Sequence, residues 1–328
     1  MSFKFLNITD NTNFTGTVAG INSLLEHNSP RITPSHITVV YRVIKNSTEE
    51  GLQIKFLKFL MVNVIVINED IGPWELKTRF MLKLGEGLEM GSRLVIFDSD
   101  LFFCNDITEL LYHPSDVLGG DDGGPTIYAS DRKWGAYDIE LPSVNPQYQS
   151  TSCMFVRITE ATLKVLSRAD YCTQHAVYNK TGSFGGHGDQ GILNAVLHEY
   201  NVNHLDDPIT RHSIENRLIS HHKTSSSDSF SRNDKGIIFN ADPELSKKPL
   251  YAFHSVSSPK LWTRRFLLES PERHQVLVEE FIRLLYSKPT KELVSSRCII
   301  DSQKGALIGA STKFPPSLPP DSELPSIL

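Results

Sequence analysis

The chain has 328 residues, of which 39% are hydrophobic and 22% charged, with a formal net charge of -5. That is the composition of a globular protein, long enough for one large α/β domain with additions or for two small domains. The mild acidity argues against bulk binding to nucleic acid or to an anionic membrane. No run of about 20 apolar residues is present to cross a bilayer as a helix; the longest candidate, residues 56–67, contains Lys58 and Asn63. The first six residues lack the apolar core of an export signal. Cys104, Cys153, Cys172 and Cys298 are widely spaced without a C-x-x-C pair, which favours reduced thiols over a disulfide framework or a zinc site. Together these features predict a cytoplasmic protein without an integral membrane segment. The N-x-S/T tripeptides at Asn7, Asn13, Asn46 and Asn179 are then read as chance occurrences.

Residues 4–8 read as a first strand and 18–26 as the helix after it. Residues 37–43 and 62–67 are rich in β-branched side chains and read as two more strands. Leu76, Phe80, Leu84 and Leu88 recur at helical spacing and predict a helix over 74–89, which leads into the apolar run 94–97. Such alternation predicts βαβ units and an α/β fold, with a mainly parallel sheet flanked by helices. Residues 114–146 are rich in Gly, Asp and Pro and read as a long ordered excursion over the active-site face. A strand over 153–158 and a helix over 160–167 follow. The stretch 188–198 opens with glycine and polar residues and continues with Ile192, Leu193, Val196 and Leu197 at helical spacing. Residues 223–235 are serine-rich and read as a mobile loop, 250–254 as a strand and 273–286 as an amphipathic helix. The Pro/Ser-rich residues 311–328 read as a disordered tail. Internal repeats are absent.

Residues 94–100, Leu-Val-Ile-Phe-Asp-Ser-Asp, run an apolar strand straight into two carboxylates. A continuous apolar run suits a strand buried on both faces, and ligands gather at the carboxyl ends of strands in such sheets. Strand side chains alternate with period two, so Asp98 and Asp100 project to the same side. Two carboxylates so placed can hold a hard divalent cation, which in turn holds a diphosphate. The plain alternative is a solvated D-x-D loop.

Two further segments bear on that choice: residues 188–194, Gly-Asp-Gln-Gly-Ile-Leu-Asn, and residues 253–262, Phe-His-Ser-Val-Ser-Ser-Pro-Lys-Leu-Trp. In order and content, the three segments resemble the family 8 retaining glycosyltransferases, the glycogenin and lipopolysaccharide galactosyltransferase group, which have a GT-A fold. Residues 83–86, Lys-Leu-Gly-Glu, also look like the helix before that family's D-x-D strand, and the resemblance spans roughly residues 4–262. It implies a GT-A domain over 1–265, with residues 266–310 as a helical extension. The activity it implies is metal-dependent, retaining transfer of a hexose from a UDP-sugar, UDP-glucose or UDP-galactose, to an acceptor that is a glycan, protein or small molecule. Asp98, Asp100 and His254 become the metal ligands, two oxygens and a nitrogen that suit Mn²⁺ better than Ca²⁺, with Mg²⁺ as the second choice. Lys260 is expected to reach the diphosphate, and Ser99 to lie against the donor. Asp189 is expected to meet the sugar hydroxyls and Gln190 the reacting carbon, with front-face attack and a short-lived intermediate both open. Thr9, Asn11 and Phe14 fall where the family binds uracil.

The departures are as informative. The basic residue on the family's helix falls at Met81 or Leu82, which bind no phosphate, so Arg79 is the expected substitute. The family's N-S-G reads Thr151-Ser152-Cys153, the glycine of its histidine segment is Ser257, and an acidic residue gives way to Gly-Gly-His-Gly at 185–188. Between Tyr200 and Tyr251 there is no tyrosine, which argues against a self-glucosylating glycogenin. Bland readings stand beside each residue: a helix N-cap for Asp189, a core histidine for His254, a surface lysine for Lys260 and an Asx-type turn around residues 9–14. Two rival functions follow. One is a nucleotide-sugar-binding protein without transfer activity. The other is a D-x-D phosphatase, opposed by Phe102 and by the late position of the motif. The sequence leaves donor sugar, acceptor and oligomeric state open.

Overall fold

The computed structural model describes residues 2–121, 147–175, 188–215, 218–222, 229–241, 248–255 and 274–285. In chain order these form β1 (Phe3–Thr9), α1 (Phe14–Asn28), β2 (Ile37–Arg42), α2 (Thr48–Phe59), β3 (Asn63–Ile67), α3 (Pro73–Glu86), β4 (Arg93–Phe97) and β5 (Leu101–Phe103). Then come α4 (Thr108–Leu111), β6 (Val117–Asp121), β7 (Gln149–Arg157), α5 (Glu160–His175), α6 (Gly188–Asn203) and β8 (Arg211–Ile214). The last described elements are β9 (Ile219–His222), β10 (Phe230–Arg232), β11 (Ile238–Asn240), β12 (Ala252–Ser255) and α7 (Gln275–Leu285).

Seven strands share one sheet in the order β3-β2-β1-β4-β7-β6-β8. Strand β1 is parallel to β4, β2 to β3 and β6 to β8, while β7 is antiparallel to both β4 and β6. The protein is therefore α/β, with a mixed, mainly parallel sheet and flanking helices, as the alternation of elements predicts. Among the described residues, no helix is long and apolar enough to cross a membrane.

The chain divides into two compact units. The first comprises Met1–Ile8, Glu69–Asp98 and Ile107–Ile219. All five residues of β4 are buried, as expected of a strand covered on both faces. Asn7, the first of the N-x-S/T asparagines, is buried there too and donates from Nδ2 to the Phe97 carbonyl at 3.0 Å. Helix α3 starts at Pro73, whose fixed φ suits the first helical position, and Glu75 accepts from the Gly72 N–H at 3.2 Å. Its buried residues are Leu76, Lys77, Thr78, Phe80, Met81 and Gly85, a stripe that includes one ammonium.

The second unit comprises Thr9–Asn68, Ser99–Asp106 and Ser220–Leu328. Phe102, Phe253, Phe281, Leu277 and Leu284 lie together in its core. Helix α7 turns its apolar face inward, as its amphipathic spacing requires. Strands β5 and β12 pair antiparallel, with Leu101 opposite His254.

Several elements were not expected from the sequence, among them α2, β6, β10 and the short strands β5, β8, β9 and β11. Helix α2 emerges before the 62–67 strand, nucleated by a reciprocal cap in which the Ser47 side chain accepts from the Glu50 N–H and Glu50 accepts from the Ser47 N–H. The apolar run 56–67 is split between that helix and β3 at Met61, whose φ of 59° ends the helix. Strand β6 lies inside the expected excursion 114–146, where Gly119 and Gly120 hide it, and β10 lies inside the expected loop 223–235. In both cases pairing with a neighbouring strand overrides weak local propensity. The rest of the excursion (122–146), Lys260, Ser257, residues 185–187, most of the 266–310 extension and the 311–328 tail lie outside the described residues.

Candidate active site

Strand β4 delivers Asp98 to its carboxyl end, where the Asp98 N–H donates to the Ser152 carbonyl at 2.8 Å. Two residues on, the Asp100 carbonyl accepts from the Ser255 N–H at 2.9 Å, continuing the β5–β12 ladder by one step. That register brings the ring of His254, itself buried, to the Asp100 carboxylate, Nε2 to Oδ1 at 3.0 Å. The ligand atoms of Asp98, Asp100 and His254 all lie within 4.8 Å of one another. Two carboxylates and one imidazole at that spacing are a donor set that could hold a divalent cation. The three residues named from the sequence are thus brought together.

A fourth residue was not expected. Lys77, on the buried face of α3, places Nζ 2.7 Å from Asp98 Oδ1 and 2.8 Å from Asp189 Oδ2, and it also donates to Thr151 Oγ1 at 3.3 Å. Burial by itself lowers a lysine pKa, but Asp189 and Asp98 outweigh it and hold the Lys77 ammonium above its ordinary range. Lys77 is therefore a permanent cation between two carboxylates. Arg79, the expected substitute for the family's basic residue, is half-exposed and pairs with Glu69 at 3.5 Å. Residues two apart on a helix do not share a face, so Lys77 and Arg79 turn different ways. The signal for Lys77 was present: a lysine within the apolar stripe Leu76, Phe80, Met81 has a polar partner inside.

Helix α6 begins at Gly188 and puts Asp189 and Gln190 in its first, buried turn. Thr151 ties them to β7: its hydroxyl donates to Asp189 Oδ2 at 2.7 Å, and its N–H donates to Gln190 Oε1 at 3.2 Å. One turn later, Asn194 accepts from the Gln149 N–H at 2.9 Å and donates to the Gln149 carbonyl at 2.8 Å. The described contacts of Asp189 thus fall on one oxygen, and a carboxylate near a helix N-terminus is also favoured by the helix dipole. Thr151, counted above as a lost asparagine, is the residue that orients both.

The remaining expected residues are spread over β1, α1 and the turn between them. Thr9 is buried, accepting from the Thr17 hydroxyl at 2.8 Å and donating to the Asp10 carbonyl at 3.3 Å. The turn after it is an Asx turn on Asp10, which accepts from the Thr12 and Asn13 N–H groups. Asn11 Oδ1 is buried without a hydrogen-bond partner among the described residues. Phe14 is 2% exposed, with its ring edge-on to Phe56 at 5.7 Å. It is a support beneath the turn. Ser99 is half-buried between the two aspartates.

No protein-family model matches the chain, and no curated protein matches it. Solved structures do. A galactosyltransferase, LgtC, in complex with donor and acceptor sugar analogs is similar over 86% of this chain and 94% of its own, at 13% identity and a TM-score of 0.50. The bifunctional glycosyltransferase WbbM is similar over 89% of this chain at 14% identity and a TM-score of 0.53. This chain spans only 51% of WbbM. The likeness establishes a GT-A glycosyltransferase fold.

Proposed function

We propose that this protein is a divalent-cation-dependent glycosyltransferase that moves a hexose from a UDP-sugar to an acceptor with retention of configuration. The observation that carries the reading is the Asp98, Asp100 and His254 group following a fully buried strand. The glycosyltransferase fold supports it, and so does the orphan acceptor Asn11 Oδ1 beside Thr9, which suits an imide N–H such as that of uracil. Asp98, Asp100 and His254 would hold the cation, with Ser99 and Lys260 against the donor. A bound Mn²⁺ or Mg²⁺ would neutralise the donor diphosphate and stabilise it as a leaving group.

The chain's own residues do the positioning. Lys77 holds both carboxylates, Asp98 and Asp189, through one ammonium. Asp189, oriented by Thr151 and Lys77, is an acceptor for the hydroxyls of the transferred sugar. Gln190, anchored through Oε1 to the Thr151 N–H, presents its amide beside it. Such groups, held before substrate arrives, stabilise developing charge without reorganisation. Arg79 remains available only for an outer contact with donor.

The test is release of UDP from UDP-glucose, UDP-galactose and a wider panel of UDP-sugars, with and without Mn²⁺. Cation-dependent release is expected with at least one of them. No hydrolysis and no transfer with any member would sink the reading.

A further inference from the structure

Trp74 lies one helical turn before Lys77 on α3 and is 45% exposed. One face of its ring lies against Gly188. A methyl group built on Gly188 would meet Trp74 Cδ2 at 2.6 Å, Cγ at 2.9 Å and Cε3 at 3.0 Å. Cδ2 is bonded to both other atoms and is the nearest of the three, so the glycine lies over the face of the indole and not beside its edge. Only glycine allows that approach, since any Cβ would displace the ring. Gly188 is followed at once by Asp189 and Gln190, and residues three apart on α3 share a face. The half-exposed indole therefore lies on the Lys77 face of α3, against the residue that precedes Asp189.

We propose that Trp74 is an aromatic platform for the apolar C–H face of a pyranose ring. This rests on the sugar-transfer reading above and names what lies beside its charged centre. A pyranose offers hydroxyls at its rim and C–H groups on its faces. The charged cluster suits the first and the indole suits the second, an apolar surface with a few convergent polar groups. The ring bound is the transferred hexose or a sugar of the acceptor, which share this chemistry.

The experiment compares wild type, Trp74→Ala and Trp74→Phe, each checked for folding by circular dichroism. Calorimetry with UDP and with UDP-glucose and UDP-galactose, in Mn²⁺, is paired with saturation-transfer NMR on methyl glucopyranoside and methyl galactopyranoside, with and without UDP and Mn²⁺. Trp74→Ala is expected to bind UDP as wild type does, and to lose about tenfold in affinity for a sugar-bearing ligand, an aromatic contact of about 1.4 kcal/mol. Trp74→Phe is expected to recover most of it. Weakened UDP-hexose binding identifies the transferred sugar; unchanged UDP-hexose binding with lost glycoside signal identifies the acceptor. Full retention of both in Trp74→Ala overturns the proposal, as does a wild type with no sugar contact in any arm. A wild type that binds no UDP but shows a Trp74-dependent glycoside signal would sink the sugar-transfer reading and leave the platform standing.

Discussion

In the first unit one buried ammonium, Lys77, serves two carboxylates, Asp98 and Asp189. In the second, one buried carboxylate, Glu280 on α7, is served by Arg232 at 2.6 Å, Arg283 at 2.5 Å and His27 at 3.5 Å. Both oxygens of Glu280 are engaged, Oε1 by Arg283 and His27, Oε2 by Arg232 and again by Arg283. Arg232 and Arg283 are part-exposed, so the surplus positive charge reaches water, and Arg283 also meets Glu26. At Lys77 the surplus is negative, two carboxylates to one ammonium. A buried carboxylate with both oxygens bonded to arginines is a brace. Two carboxylates sharing one ammonium carry a net negative charge, and charged clusters of this kind near a strand end are where function concentrates.

The contrast can be broken by experiment. The largest effect is expected from Glu280→Ala, which removes the shared partner of Arg232 and Arg283; both are part-exposed, so the cost falls at the low end for a broken buried pair, about 3 kcal/mol of stability. Urea denaturation reads the loss, while UDP release per folded molecule should stay at the wild-type value. A specific loss of turnover would make Glu280 more than a brace. Acid unfolding sharpens the same point. Burial pushes the Glu280 carboxyl up, but His27, Arg283 and Arg232 hold it at about 2, below its ordinary 4.5. A depressed carboxyl stabilises the fold above its unfolded value, so this contribution is intact above pH 4.5 and is lost as pH falls toward 2. The Ala variant should lack that part of the acid limb in a pH series of unfolding curves.

Next comes Lys77→Met, with UDP release expected to fall about 10²–10³-fold at temperatures where the variant remains folded by circular dichroism, the scale seen for loss of a pre-positioned electrostatic group. Wild-type turnover would reduce Lys77 to a structural counter-ion. His254→Ala should weaken Mn²⁺ binding by at least about tenfold in an electron-paramagnetic-resonance titration; unchanged affinity would remove the imidazole from the ligand set. The smallest effect belongs to Thr151→Val, which keeps the volume and deletes the hydroxyl that donates to Asp189 and accepts weakly from Lys77. A loss of about 1.5 kcal/mol, roughly tenfold in turnover, is expected.

Legibility follows the same divide. Asp98, Asp100, Asp189, Gln190 and His254 stand out because each sits in a short contiguous pattern where polar residues interrupt an apolar strand or helix. Lys77 does not, because its partners are 21 and 112 positions away and its meaning depends on which turn of α3 faces them. The family's pattern points to Met81, Leu82 or Arg79, whereas the buried ammonium lies one turn before Met81. Thr151 carries little signal for a related reason: a hydroxyl is generic until its partner is known. Strands β6 and β10 were hidden by glycine and serine, which weaken local signals without preventing pairing.

What the sequence determined by itself is the alternation that makes a parallel α/β sheet, and the placing of D-x-D after a fully apolar strand. Those follow from side-chain periodicity over a few residues, which any chain carries wherever it folds. The tertiary structure alone decided that Lys77 joins Asp98 to Asp189, that Glu280 is saturated by cations, and that Gly188 lies under the ring of Trp74. Each is a contact between distant segments set by packing and burial, and burial is what turns an ordinary charge or aromatic ring into one with a definite partner. The D-x-D pattern could announce a cation site; only the fold could show the second, permanent cation built into it.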